Sequence, residues 1–554
     1  MKANIKYSIF TMLLLSVVSI FISSCNKDEI VYEETRLFRP VLNDELKADL
    51  NTIIINLAKI KEATSYTVEI SEDSFATAPL YTFTTEKNLI VVNAELTGEE
   101  LAYNTLYQVR VYANAAESQY NSKPAFLGSV RTEKLPSIML DARAFDVTDV
   151  LARIRWNPSG DPVDGVKTFA KADKNLKTPL NSYTVSSSQN AAGEIIIDNL
   201  QPNSVYQVAI YSGTKLRGLS DYKTLIKGVY PGDANVVDLT NTDNPDAVTD
   251  AYNAAPDGGI ILLKKGVRFN FPAVELNKSI TIKGAYDLIE NQAELFTTGD
   301  WKVSTGVNIQ TVVFDDIKVI GEDPAGDYVF NISNAGDATI INDLVFKNCT
   351  VTSFRGIARL RSDSFIKNFT IENSIVYNIG GYGIFTCDTD GAGKAAIDNV
   401  FLLSSSFYQI TAAFTSRQNS QRFIIDACTF NQFTEGGQKF LRYRGGADNN
   451  NIIQGLTISN SIFGTGWDKT GTGANAILFV GEGLTGTSFS VSNTWATSDF
   501  VPTAGSEMAG FPPLNYSGNS TKLWTDPANG NFKFLDSGFT GKYDSGDPRW
   551  RLKL

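Results

Sequence analysis

The chain has 554 residues, with 60 Asp and Glu against 49 Lys and Arg, a net charge of −11, and no histidine. That balance excludes wholesale nucleic-acid binding, which needs a basic surface, and the missing imidazole excludes Ser-His-Asp and Cys-His catalysis and His-ligated metals. Chemistry is left to Arg, Lys, Asp, Glu, Tyr or a metal held by oxygen.

The first 24 residues carry Lys2 and Lys6, then the apolar run Ile9 to Ile22, which is short for a membrane span. This is the pattern of a signal peptide. The stretch Ile22-Ser23-Ser24-Cys25 resembles a bacterial lipobox, which implies that Cys25 is lipidated and begins the mature chain. Within residues 25–31, Asn26-Lys27-Asp28-Glu29 resembles the signal that sends Bacteroidetes-type lipoproteins to the outer face of the outer membrane. A lipid anchor would then hold the protein at the cell surface. The other cysteines, Cys349, Cys387 and Cys428, are odd in number and read as small buried apolar residues.

Residues 32–133 and 134–230 are expected to form two β-sandwiches. Leu101 to Val111 matches Leu200 to Ile210, ninety-nine residues later: a Leu, a turn, then Tyr107 or Tyr206 opening an apolar alternation. A Tyr so placed marks the corner where its hydroxyl bonds back across a sandwich edge. Strands are expected at Thr52 to Leu57, Ser65 to Ile70 and Ala152 to Trp156, with Trp156 inward. The two copies resemble fibronectin type III domains, which implies a spacer role.

Residues 231–500 change texture. Asn244 to Ala255 has helical apolar spacing and Pro256-Asp257-Gly258-Gly259 stops it. Then a motif of apolar, any, apolar, any, and Asn, Asp or Ser recurs every 23 to 33 residues: Leu344 to Asn348, Phe369 to Asn373, Val400 to Ser404, Leu456 to Asn460, Phe489 to Asn493, with looser copies at Ile280, Val312 and Phe423. Such short strands cannot bury their inner faces alone and must stack as the coils of a solenoid, with the polar residues in register at a corner. A second apolar column follows at Val351, Val376, Phe407, Phe430 and Phe463. The reading is a parallel β-helix plugged by the helix. Its opening, Pro256 to Leu262 and Lys278 to Gly284, resembles pectin-lyase-like right-handed β-helices. The tail 501–554, from Thr525-Asp526-Pro527 to Gly546-Asp547-Pro548-Arg549-Trp550, resembles that of β-helix lipoproteins found with pectin-degrading systems and is expected to pack on the helix. The fold class is therefore all-β.

Alternation in the strands after the corners sorts inward from outward residues. Burying Ala358 and Leu360 leaves Arg359 and Arg361 outside; Phe385 and Cys387 leave Thr386 and Asp388; Phe414 and Ser416 leave Thr415 and Arg417; Leu441 and Tyr443 leave Arg442 and Arg444. Residues 351–450 hold ten Lys and Arg against eight Asp and Glu, a local excess of positive charge. Guanidinium pairs two-pronged with carboxylate, so the stripe is expected to bind an acidic, pectin-like polysaccharide. The family resemblance adds delivery of fragments to an outer-membrane importer. It also offers a rival, a pectate-type lyase using Arg359, Arg417 or Arg442 as base and Ca²⁺ on Asp388 and Asp390, although the family marks Trp-Ile-Asp-His and Arg-x-Pro-x-x-Arg are absent. A surface adhesin or scaffold without a glycan site is the third reading.

Overall fold

The computed structural model describes residues 35–446 and 448–552, so the expected signal segment, Cys25 and Lys27-Asp28-Glu29 lie outside the described residues. Among the described residues no helix is long and apolar enough to cross a membrane. The protein is all-β, with antiparallel sheets followed by long parallel sheets. The described residues divide into two compact units: one takes 35–139, 156–193 and 206–221, the other 140–155, 194–205 and 222–552.

In the first unit, an antiparallel three-stranded sheet (Lys47–Asp49, Thr52–Asn56, Leu89–Val92) faces a four-stranded one (Tyr81–Thr85, Ser65–Ser71, Leu106–Asn114, Ala125–Arg131). Their alternating inward residues, among them Ile53, Ile55, Val68, Ile70, Val109 and Val111, make one core. The expected corner is present: the Ala102 amide donates to the Tyr107 hydroxyl at 3.0 Å, and burial raises that phenol to about 12. The second copy supplies a four-stranded antiparallel sheet (Pro179–Thr184, Gly165–Ala170, Val205–Ser212, Lys215–Lys223) and a two-stranded one (Glu194–Ile197, Ala152–Arg155). Trp156 is buried as expected.

In the second unit the chain winds through three parallel faces. The first is a ten-stranded sheet from Val236–Leu239 to Phe489–Ser492. Ile280, Val312, Leu344, Phe369, Val400, Phe423, Leu456 and Phe489, the leading apolar residue of every motif copy, pair in a single register column of this sheet. The second face holds the other expected column, Val351, Val376, Phe407, Phe430 and Phe463. Within it the rings of Phe407, Phe430 and Phe463 stack at 5.0 and 4.5 Å. Helix Ala247–Ala254 covers the open end, burying Val248, Ala251 and Tyr252 in the solenoid core.

The corner between these faces explains the polar end of the motif. Asp316, Asn348, Asn373, Ser404, Ala427, Asn460 and Asn493 all have φ between 41° and 56°, a left-handed conformation that Asn and Asp tolerate better than most. Their amides bond from coil to coil, Asn373 to Asn348 at 2.7 Å and Asn493 to Asn460 at 2.9 Å. Where Ala427 interrupts the ladder, Asp426 accepts the Asn460 amide instead, at 2.8 Å. One residue on, a buried column runs alongside: the backbone amides of Cys349, Ser374 and Cys428 donate to the hydroxyls of Ser374, Ser405 and Ser461, each at 3.0 Å. Cys349 and Cys428 are small buried members of this column, and burial pushes both thiols, like that of Cys387, well above their ordinary value.

The tail lies on the second face. Trp524, Phe532 and Phe539 pack against Tyr408 and Ile462. Near its end, Arg549 donates to the Asn373 carbonyl at 2.9 Å, Asp547 accepts from the Ser406 hydroxyl at 2.7 Å, the Asp547 amide donates to Thr429 at 2.9 Å and the Gly546 amide to the Asn460 carbonyl at 2.8 Å.

Candidate functional site

The third face follows a second turn of each coil and runs through Tyr328–Ile332, Gly356 to Leu360, Gly383 to Cys387, Phe414–Ser416, Lys439–Tyr443 and Leu478–Glu482. Phe330, Ala358, Phe385, Phe414 and Leu441 share one inward column, all fully buried. The outward column beside it is Asn331, Arg359, Thr386, Thr415, Arg442 and Glu482. Backbone bonding continues two residues further: the amides of Arg361, Asp388, Arg417 and Arg444 donate to the carbonyls of Ile332, Leu360, Cys387 and Ser416. These four side chains therefore form a second column at the coil spacing of about 4.8 Å.

The eight residues singled out in the sequence are thus brought together. Asp388 is their centre: Arg359 donates to it at 2.8 Å, and Arg417 and Arg444 lie 3.5 and 3.6 Å from its other oxygen. Arg417 also reaches Asp390 at 2.5 Å, Arg442 donates to Glu482 at 2.7 Å and Arg361 to Asn331 at 3.2 Å. Thr415 is half-buried in its column. Thr386 stands in the expected column but is only 6 % exposed, and its hydroxyl bonds back to the Tyr382 carbonyl at 2.8 Å, so it packs the face rather than presenting a donor.

Donor capacity exceeds what the protein itself accepts. The buried Nε atoms of Arg359, Arg361, Arg417 and Arg444 have no hydrogen-bond partner among the described residues. A buried donor left unmade costs about 1–3 kcal/mol. The Arg444 guanidinium is pushed below its ordinary value by burial and then by the charges of Arg442 and Arg417. Arg359 moves the other way: burial opposes it, but the bond to Asp388 and the neighbouring Tyr382 and Tyr328 rings raise it.

Three residues of the face were not read from the sequence. Tyr382 lies under Arg359 and Arg355, with guanidinium carbons 4.2 and 4.7 Å from its ring, and Tyr328 meets Tyr382 edge-on at 5.7 Å. Gly383 makes this possible: its φ is +65°, and a Cβ there would sit 2.4 Å from the Ala413 carbonyl. The signal for Tyr382 was its setting, Gly380-Gly381-Tyr382-Gly383; that for Arg355 was the same alternation that placed Arg359.

Ca²⁺ takes six to eight oxygens. Asp388 and Asp390 instead share Arg417, and no group of three His, Cys, Asp or Glu able to hold a metal occurs among the described residues. The pair does not fit that ion. The three arginines named as bases are each bonded to a carboxylate, Arg359 to Asp388, Arg417 to Asp390 and Arg442 to Glu482, whereas a base must be neutral.

Two stretches of the chain match known family models, both of domains of unknown function: residues 268–409 are similar to DUF4957 and residues 423–550 to DUF5123. No curated protein matches the chain. Among solved structures, the FN1–FN3 domains of chicken CNTN1 align at 14 % identity over 35 % of this chain and 69 % of that one, with a TM-score of 0.15.

Proposed function

We propose that the third face binds an acidic, pectin-like polysaccharide, and that the protein does so at the cell surface, anchored through Cys25 and passing captured chains to an outer-membrane importer. The observation that carries this reading is the surplus of directed donors: six arginines, Arg355, Arg359, Arg361, Arg417, Arg442 and Arg444, share the face with Asp388, Asp390 and Glu482, and four of their Nε groups make no hydrogen bond, that of Arg417 having only its 3.5 Å ion-pair contact with Asp388. A uronate carboxylate supplies two acceptor oxygens and a negative charge to such a cluster, and charge-assisted bonds of this kind are the strong ones. The likeness of the opening coil to pectin-lyase-like helices supports the same ligand class.

The test is retention of the full chain on polygalacturonate gels. Replacing Arg361, Arg417 and Arg444 together with Ala should weaken retention by about a thousandfold or more, at about 1.5–3 kcal/mol for each of the three charged bonds, with the melting temperature nearly unchanged. Undiminished retention overturns the reading. A second reading, β-elimination, would use Arg444, whose carboxylate contact, 3.6 Å to Asp388, is longer than those of Arg359, Arg417 and Arg442 and whose guanidinium is pushed below its ordinary value by burial and by Arg442 and Arg417. It requires ultraviolet absorbance from an unsaturated uronate to rise when the protein meets polygalacturonate, with or without Ca²⁺, and to stop rising in Arg444→Lys; the binding reading expects no rise.

A further inference from the structure

A second site stands on the first sandwich. On the outward side of its four-stranded sheet, Glu69 pairs with Arg110 across two strands, and Arg110 pairs with Phe126 on the next. Two irregularities of the backbone bring aromatic rings to this spot. The first is the turn after Ser71, where Ser74 and Phe75 both take left-handed φ, 60° and 62°. That conformation is strained for a bulky residue and is retained where the surroundings impose it. Here Asp73 imposes it, accepting from Ser71 Oγ at 2.7 Å and from the Thr77 hydroxyl and amide at 2.6 and 3.0 Å, while the Ser74 amide donates to Gln108 at 2.9 Å.

The second irregularity is a bulge in Ala125–Arg131. Val109 faces Gly128, but Arg110 faces Phe126, so Leu127 is the extra residue. Leu127 turns to the core, and Phe126 is left 67 % exposed beside Arg110. Bulges commonly re-aim a side chain in this way. The rings of Phe75 and Phe126 end 5.8 Å apart at 76°, with the Arg110 guanidinium carbon 4.2 and 5.5 Å from their centres.

We propose that Phe75, Phe126, Arg110 and Glu69 form a subsite for a neutral hexopyranose unit of a glycan. The C–H face of such a ring suits an exposed aromatic surface, and a few fixed polar groups orient a ligand on an apolar floor: Arg110 donates to a ring hydroxyl and Glu69 accepts from one. The charges of Arg110 and Glu69 cancel, unlike those of the arginine face, so the site has no preference for uronate. It is independent of the function proposed above.

The test uses the full chain with cellohexaose and β-1,4-galactohexaose, read by saturation-transfer NMR. Ring C–H protons of at least one sugar should receive saturation, and the signal should fall about tenfold in Phe126→Ala and in Phe75→Gly. Glycine accepts the left-handed turn, so Phe75→Gly should melt no lower than the parent. Arg417→Ala should leave the signal unchanged. Absence of transfer to both sugars, transfer in both Phe variants equal to the parent's, or displacement of the neutral sugars by oligogalacturonate at equal concentration overturns the proposal.

Discussion

The corner column and the arginine column are made by the same repeat, one side chain per coil, yet they end in opposite states. At the corner, Asn373 gives its amide to Asn348 and Ser374 accepts the Cys349 amide while passing its own to Ser405. On the third face, stacking puts Arg361, Asp388, Arg417 and Arg444 in line, and the Nε donors of Arg359, Arg361, Arg417 and Arg444 make no hydrogen bond, Arg417 keeping only a longer ion-pair contact with Asp388. A repeat whose residues both donate and accept closes on itself; one whose residues only donate needs an acceptor from elsewhere. The chain supplies part of that acceptor itself, chiefly through Asp388, which meets three of the arginines.

Removing it should therefore give the largest effect. In Asp388→Ala, Arg359, Arg417 and Arg444 confront one another without a counter-charge, which we expect to cost about 1–3 kcal/mol, below the value for fully buried pairs because the side chains remain about a fifth exposed. Polygalacturonate should then raise the melting temperature of the variant more than that of the parent. Equal shifts would show that Asp388 and the polymer do not compete for the same guanidiniums.

The corner should answer differently. Ser374→Ala leaves the buried Cys349 amide without its acceptor, an expected loss of about 1–2 kcal/mol in denaturant unfolding, and polygalacturonate should restore none of it. If the polymer rescued this variant as well, the two columns would not be functionally distinct.

The smallest effect concerns acid. Burial raises the Asp547 carboxyl above its ordinary value, against the opposing charge of Arg549. A folded-state pKa above the unfolded one means the native protein binds the proton more tightly. This group's contribution is therefore absent above its folded pKa, grows as pH falls through it and is complete below the unfolded value of 3.8. Asp547→Asn removes the titration, so melting curves of parent and variant should converge in the parent's favour as pH drops from 7 toward 4; parallel curves would count against the assignment.

Much of this was legible in the residues because period-two alternation and a thirty-residue repeat are local signals. They placed the eight-member column from Ile280 to Phe489 and the outward set from Arg359 to Arg444. The Asp388 and Asp390 pair failed as a cation site for a reason the sequence does not carry: which coil's arginines point at a carboxylate depends on stacking order. The second corner was missed because its left-handed residues, Ser353, Asn378, Gln409 and Gln432, are of three side-chain types, and glutamine is not a residue that marks such a turn. Thr386 was placed on the right side of its strand, but its bond to Tyr382 depends on a turn that alternation does not describe.

The tail gives the solenoid a property its coils lack. Stacked repeats touch only their neighbours, so such arrays fray from an end, one rung after another, with little penalty per rung. Residues 546–549 bond to Asn373, Ser406, Thr429 and Asn460, which belong to four successive coils. A rung in this stretch cannot open alone without straining a strap fastened above and below it. The brace converts a zipper into a block, and it does so over the coils that carry Asp388, Arg417, Arg442 and Arg444, holding their spacing constant when one end of the ladder breathes.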